Sequence, residues 1–123
     1  MTARGAVVER YLAALARQDW PALATCLAAD VDRIGPYGDR YQGREPYVAF
    51  LRETLAALTG YDLHVSRLIV THDVVVAQLA ETVDTPDGRR RTHEAVVFDL
   101  DAAGLIRGVQ VFLRRSEVVS ALA

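Results

Sequence analysis

The apolar residues of this chain change their spacing at Asp62, from a helical repeat to a repeat of two, and that limits the fold to helices followed by sheet. Val7, Val8, Tyr11, Leu12 and Leu15 mark one buried helix face, with Glu9, Arg10 and Arg17 off it. Asp19 predicts the cap of a second helix, with Pro21 tolerated in its first turn and Leu23 and Leu27 turned inward. A short extended piece, Val31 to Ile34, ends in the breaker-rich Gly35-Pro36-Tyr37-Gly38. A third helix is expected from near Arg44, with Tyr47, Phe50, Leu51, Leu55 and Leu58 on one stripe and Gly60 as its stop. Beyond Asp62, strands fit 62–70, 74–84, 89–100 and 105–114. The breaks are Thr71-His72-Asp73, Pro86-Asp87-Gly88 and Asp101-Ala102-Ala103-Gly104. This order predicts an α+β fold, three N-terminal helices on one face of an antiparallel meander. The tail from Ser116 to Ala123 either adds a short helix or frays.

The second hairpin holds the most informative arrangement. With Asp87-Gly88 as turn residues, Pro86 pairs with Arg89, Glu81 with Glu94, and Leu79 with Val96. Side chains alternate, so Val75, Ala77, Leu79, Glu81 and Val83 share a face with Thr92, Glu94, Val96, Phe98 and Leu100. That face is the more apolar one and belongs under the helices. Two carboxyls would then share an apolar interior, where burial and mutual repulsion raise the pKa of one of them. One acid and one base side by side suit general acid–base catalysis. The same residues also fit a shifted register, an arginine that satisfies both acids, or a Glu81 left in water at the sheet edge. Tyr11, on the buried stripe of the first helix, reads either as a proton donor into that interior or as a core tyrosine bonded to a backbone carbonyl.

Composition narrows the chemistry. The chain has 123 residues, the size of one domain, and all 14 basic residues are arginine. Without lysine no side chain can form a Schiff base, anchor pyridoxal phosphate or serve a P-loop. Without asparagine there is neither an N-glycosylation site nor an Asn oxyanion donor. The net charge of −2 gives no strong field for nucleic acid, and Arg89, Arg90 and Arg91, the basic run, lie beside a turn. Cys26 reads as a small core residue. No apolar run is long enough for a membrane span, so a soluble, cytoplasmic protein is expected.

The order of these segments resembles a known family. Ala6-Val7-Val8-Glu9-Arg10-Tyr11-Leu12-Ala13-Ala14-Leu15 looks like the first helix of ketosteroid-isomerase-like proteins. Asp19-Trp20-Pro21-Ala22-Leu23, Ala28-Ala29-Asp30-Val31, Gly35-Pro36-Tyr37-Gly38 and Gly43-Arg44-Glu45 follow in the family's order. Phe98-Asp99-Leu100-Asp101 with Gly104-Leu105-Ile106 is similar to its closing hairpin. The likeness covers residues 6 to about 114 and implies the nuclear transport factor 2-like superfamily of ketosteroid isomerases and SnoaL-like polyketide cyclases. It implies a strongly curved sheet and three helices forming a cone around an apolar pocket, often in homodimers. On this resemblance Tyr11 matches the isomerases' oxyanion-hole tyrosine. Their general-base aspartate falls on Gly35 and their second oxyanion acid on Val96. The histidine that often precedes Gly-Pro in SnoaL-like chains is Ile34 here. The last-strand aspartate of limonene-epoxide-hydrolase relatives falls near Val111.

Together these readings predict one domain over residues 1–123 that uses Glu81, Glu94 and Tyr11 on an apolar, oxygenated small molecule. The reaction would be isomerisation, cyclisation or epoxide opening; a ligand-binding or homodimeric module without chemistry is the rival. Trp20, Arg33, Tyr37, Tyr47, Phe50, His64, Leu79, Val96, Phe98, Val109 and Val111 are expected to line the pocket. Arg33 would either pair with a pocket glutamate, bind an acidic substrate or form a surface ion pair. His64, His72 and His93 lack metal-ligand spacing, so neither a metal nor a cofactor is expected. Ala95, Val97, Gln110 and Phe112, on the outer sheet face, are candidates for a homodimer contact.

Overall fold

The computed structural model describes residues 3–120. Helix α1 spans Ala3–Arg17, and Val7, Val8, Tyr11, Leu12 and Leu15 are all buried along it. Helix α2 spans Trp20–Ala24, where Asp19 accepts a hydrogen bond from the Ala22 amide at 3.1 Å and Pro21 occupies the first turn. Helix α3, Arg44–Ala56, buries Tyr47, Leu51 and Leu55. The strands are β1 (Leu27–Ile34), β2 (Arg40–Gln42), β3 (Thr59–Val70), β4 (Val74–Thr85), β5 (Gly88–Leu100), β6 (Ile106–Leu113) and β7 (Glu117–Ser120). They form one sheet in the order β2-β1-β6-β5-β4-β3, with β7 paired to β5. No helix among the described residues is long and apolar enough to cross a membrane.

The α+β order with helices over a mostly antiparallel sheet is as expected, and several local readings change. The third helix ends at Ala56, so Gly60 lies inside β3, at φ 65°. A Cβ there would sit 2.3 Å from a carboxylate oxygen of Asp84, and Leu58 is left partly exposed outside the helix. The extended piece is eight residues long and turns back through Gly35-Pro36-Tyr37-Gly38 to pair with β2. It also pairs parallel to β6, with Arg33 beside Val109, so the sheet is not wholly antiparallel. Ser116 onward is neither helix nor frayed through Ser120: β7 pairs with Arg89–Arg91, extending the sheet where β6 has ended. The last three residues of that predicted tail lie outside the described residues.

The β4–β5 register also differs. Thr85 pairs with Gly88, leaving Pro86-Asp87 as the turn. Proline's fixed φ favours this placement. Thr85 stabilises it, donating to the Gly88 carbonyl at 2.8 Å and accepting from the Asp87 amide at 3.3 Å. Glu81 therefore pairs with Thr92 and Glu94 with Leu79. Because the pairing moves by an even number, every side chain keeps its face. The two glutamates remain on one face as diagonal neighbours rather than direct partners.

The core lies between that face and the helices. Phe98 is fully buried and meets the Tyr11 ring edge-on, with 5.3 Å between centroids. Replacing Phe98 by Ala should cost about 3–5 kcal/mol of stability, read as a lowered urea midpoint.

Candidate active site

Alternation along β4 and β5 sends Leu79, Glu81, Glu94, Val96 and Phe98 toward α1 and α3. Tyr11 on α1 and Tyr47 on α3 meet them from above, and Arg33, Val109 and Val111 close the wall from β1 and β6. The inner chamber measures about 70 Å³. It opens past Arg33, Leu51, Glu81, Glu94 and Val111 into a mouth of about 530 Å³. Phe50, Tyr37 and Tyr61 line that mouth. The chamber alone takes a small group, whereas chamber and mouth together reach the size of ordinary small-molecule sites. The charged groups stand at the junction of the two.

The carboxyls of Glu81 and Glu94, diagonal neighbours on β4 and β5, are placed to share one proton in a hydrogen bond. Burial, that bond and the charge of Glu81 push the Glu94 carboxyl up to about 10, while the Arg33 guanidinium pulls the other way. The pair therefore keeps a proton at neutral pH, with the upward push falling on Glu94. Glu81 accepts a second hydrogen bond, from the Tyr61 hydroxyl. Burial, then the charge of Glu81, raises the Tyr61 phenol, so it stays a donor.

The Tyr11 and Tyr47 hydroxyls bond to each other. Burial raises both, Tyr47 to about 12. Two neutral phenols share one proton in their mutual bond, which leaves the second proton for a ligand oxygen.

Arg33 is held from two sides. Its Nη1 donates to Asp39 at 2.6 Å, and its guanidinium carbon lies 4.7 Å from the Phe50 ring centre. Phe50 in turn stacks on Tyr41 at 4.2 Å. Gly35 makes this possible, since a Cβ there would lie 2.2 Å from an Asp39 carboxylate oxygen. The position onto which the resemblance maps a general base is here kept bare, and Asp39 uses the space to fix Arg33.

Two expected lining residues are elsewhere. His64 is exposed, because β3 turns Leu63 and Val65 inward and His64 to the opposite face. Trp20, at the first position of α2, packs against the edge of the core and lines neither chamber nor mouth. Tyr37 reaches the mouth but is 88% exposed. Sequence reasoning missed Tyr61, Leu63 and Asp39. Tyr61 and Leu63 alternate with Asp62 and His64 along β3, and Tyr61 precedes the expected strand 62–70. Asp39 carried no local signal, because a loop brings it to Arg33.

No curated protein matches the chain. A candidate ketosteroid isomerase from Kribbella flavida superposes with a TM-score of 0.82 at 22% identity, over 98% of this chain and 84% of that one. An LEH-like epoxide hydrolase from M. tuberculosis superposes at 0.78 and 19% identity, over 91% of this chain and 83% of the other. The epoxide hydrolase/cyclase-like enzyme SalBIII, of pyran ring formation in the polyether salinomycin, gives 0.78 and 20%, over 90% of each chain. At these identities the likeness is one of fold, the cone shared by ketosteroid isomerase-like and nuclear transport factor 2-like proteins. Residues 8–109, most of the chain and all of the site except Val111, match the SnoaL-like domain in sequence, and the chain belongs to that family.

Proposed function

We propose that this chain is an acid–base enzyme acting on an apolar, oxygenated small molecule. The observation that carries the reading is the Glu81–Glu94 pair, one acid protonated and the other accepting, at the junction of chamber and mouth. Glu81 takes a proton from the substrate, or from the hydroxyl that attacks it. Glu94 delivers one to the oxygen that needs it. The Tyr11–Tyr47 pair polarises an oxygen seated in the chamber. Isomerisation, ring closure and epoxide opening all use this set, and the names of two similar structures, an epoxide hydrolase and an epoxide hydrolase/cyclase-like enzyme, support the latter two. A single soluble domain working in the cytoplasm, without metal or cofactor, is part of the proposal. A second reading, a binding module without turnover, draws on the small chamber of about 70 Å³.

The outer sheet face supports a homodimer in this proposal. Ala95, Val97, Gln110 and Phe112 lie there, with Phe112 half-exposed. Sedimentation analysis should show two copies for the intact chain and a shift toward one copy for Phe112→Asp.

In a screen of ketones, epoxides and hydroxy-epoxides, Glu81→Gln and Glu94→Gln should each lower turnover by about a hundredfold to ten-thousandfold. Turnover that neither change reduces, for a substrate the wild type converts, removes the glutamate pair from the chemistry; conversion of none of these compounds leaves the binding module.

The proton on Glu94 also sets a pH dependence. Its folded pKa lies above the unfolded value, so the native state binds more protons between about 4.5 and about 10. Stability therefore falls as pH rises through that window. Urea midpoints should decline from about pH 5 to about pH 9 more steeply in the wild type than in Glu94→Gln. Turnover should fall along an alkaline limb near pH 10 as Glu94 loses its proton.

A further inference from the structure

The geometry points to Arg33 as a carboxylate-binding residue, and so to an apolar carboxylic acid as the ligand of this site. The inference rests on the proposed acid–base reading only for the use made of the bound acid, and it narrows the substrate class of that reading.

Arg33 is 8% exposed, and its side chain borders both chamber and mouth. A guanidinium has five N–H donors. Here Nη1 is engaged by Asp39 and one face lies over Phe50. Among the described residues no protein acceptor meets Nε or Nη2. Yet no buried side-chain nitrogen or oxygen among those residues is left without a partner. The Nε–Nη2 edge is therefore not sealed in protein. The cavities that Arg33 lines are the chamber and the mouth, and they are where a ligand can meet that edge.

That edge is the fork that takes both oxygens of a carboxylate. The same molecule shows it in use seven residues away in sequence. Arg40 donates from Nε to Asp32 Oδ1 at 2.9 Å and from Nη2 to Asp32 Oδ2 at 2.6 Å. Arg33 offers the identical edge, buried and already fixed by Asp39 and Phe50, so little side-chain freedom is lost on binding. Out of water such a bidentate, charge-assisted pair is among the stronger polar contacts. The site also accommodates the charge. Glu94 holds its proton, so an incoming carboxylate meets one glutamate charge rather than two. The apolar remainder of the ligand then lies against Leu51 and Val111 and within reach of Glu81.

The test is equilibrium binding, by calorimetry and thermal shift at neutral pH, of benzoate and phenylacetate against benzamide and phenylacetamide, which match them in shape but carry no charge. The wild type should bind at least one acid about tenfold to a hundredfold more tightly than its amide. Arg33→Gln should lose that preference. Arg33→Lys, which keeps the charge but not the fork, should recover only part of it. If Arg33→Gln does not fold, the acid-against-amide comparison on the wild type still decides. Equal affinity for acid and amide, acid binding that survives in folded Arg33→Gln, or no binding of either acid overturns the inference. Each of those results leaves the glutamate turnover experiment untouched. Unchanged turnover in the glutamate variants, conversely, leaves an acid-binding preference standing.

Discussion

Two carboxyl groups pressed together in a mostly apolar cone cannot both carry charge, and the rest of the site is arranged around that constraint. At an effective dielectric near that of a protein surface, two like charges at contact repel by about 4 kcal/mol. Glu94 avoids the repulsion by keeping its proton. The proton then fills the space between the acids as a hydrogen bond, and Glu81 is completed by the Tyr61 hydroxyl. A pair that would destabilise the fold as two charges becomes a satisfied network as one. The same arrangement creates an acid and an acceptor side by side. The polar interior and its chemical capacity thus have one cause.

The resemblance maps the family's acid positions onto Gly35 and Val96, and the structure shows what surrounds each residue here. Gly35 carries no side chain, and the vacated volume admits Asp39, which fixes Arg33. Val96 belongs to the buried lining beside Phe98. The acids stand instead at Glu81 and Glu94, nearer the mouth. Moving them outward leaves the inner end to two phenols. A carboxylate there would have faced deep burial, whereas a tyrosine keeps its proton and still offers a donor.

The sequence made the face of each glutamate legible but not their distance. Alternation alone puts Glu81 and Glu94 on one side, and that reading survives any even shift of register. The shift itself was set by Thr85 and Pro86, through a side-chain turn that Asp87-Gly88 outweighed as a signal. His64 is a related case: the inward positions of β3 run Tyr61, Leu63, Val65 and then Leu68, Val70, switching parity at the irregularity between Val65 and Arg67, so simple alternation does not fix the facing. The helical stripe was the easier case. Val7, Val8, Tyr11, Leu12 and Leu15 needed no tertiary information, because a helix this amphipathic has one face to bury. Contacts made through loops, such as Asp39 on Arg33, have no periodic signature at all. Nor does the parallel pairing of β1 with β6, which joins segments far apart in the chain.

The absence of lysine acquires its meaning inside the cone. A buried lysine can lose its proton and change role, but a guanidinium stays charged at any working pH. Arg33 therefore supplies a constant field, which lowers the cost of charge on Glu94, Tyr11 and Tyr47 without exchanging protons with them. Proton traffic is left to the two glutamates, with Tyr61 and the tyrosine pair as donors. Fixed charge and mobile proton are thus held by different residue types. Asp39 and Phe50 hold the fixed charge in place, and the β4–β5 register holds the mobile proton. A ligand that reaches the junction meets both at once, which is why chemistry is placed there rather than at the inner end of the chamber.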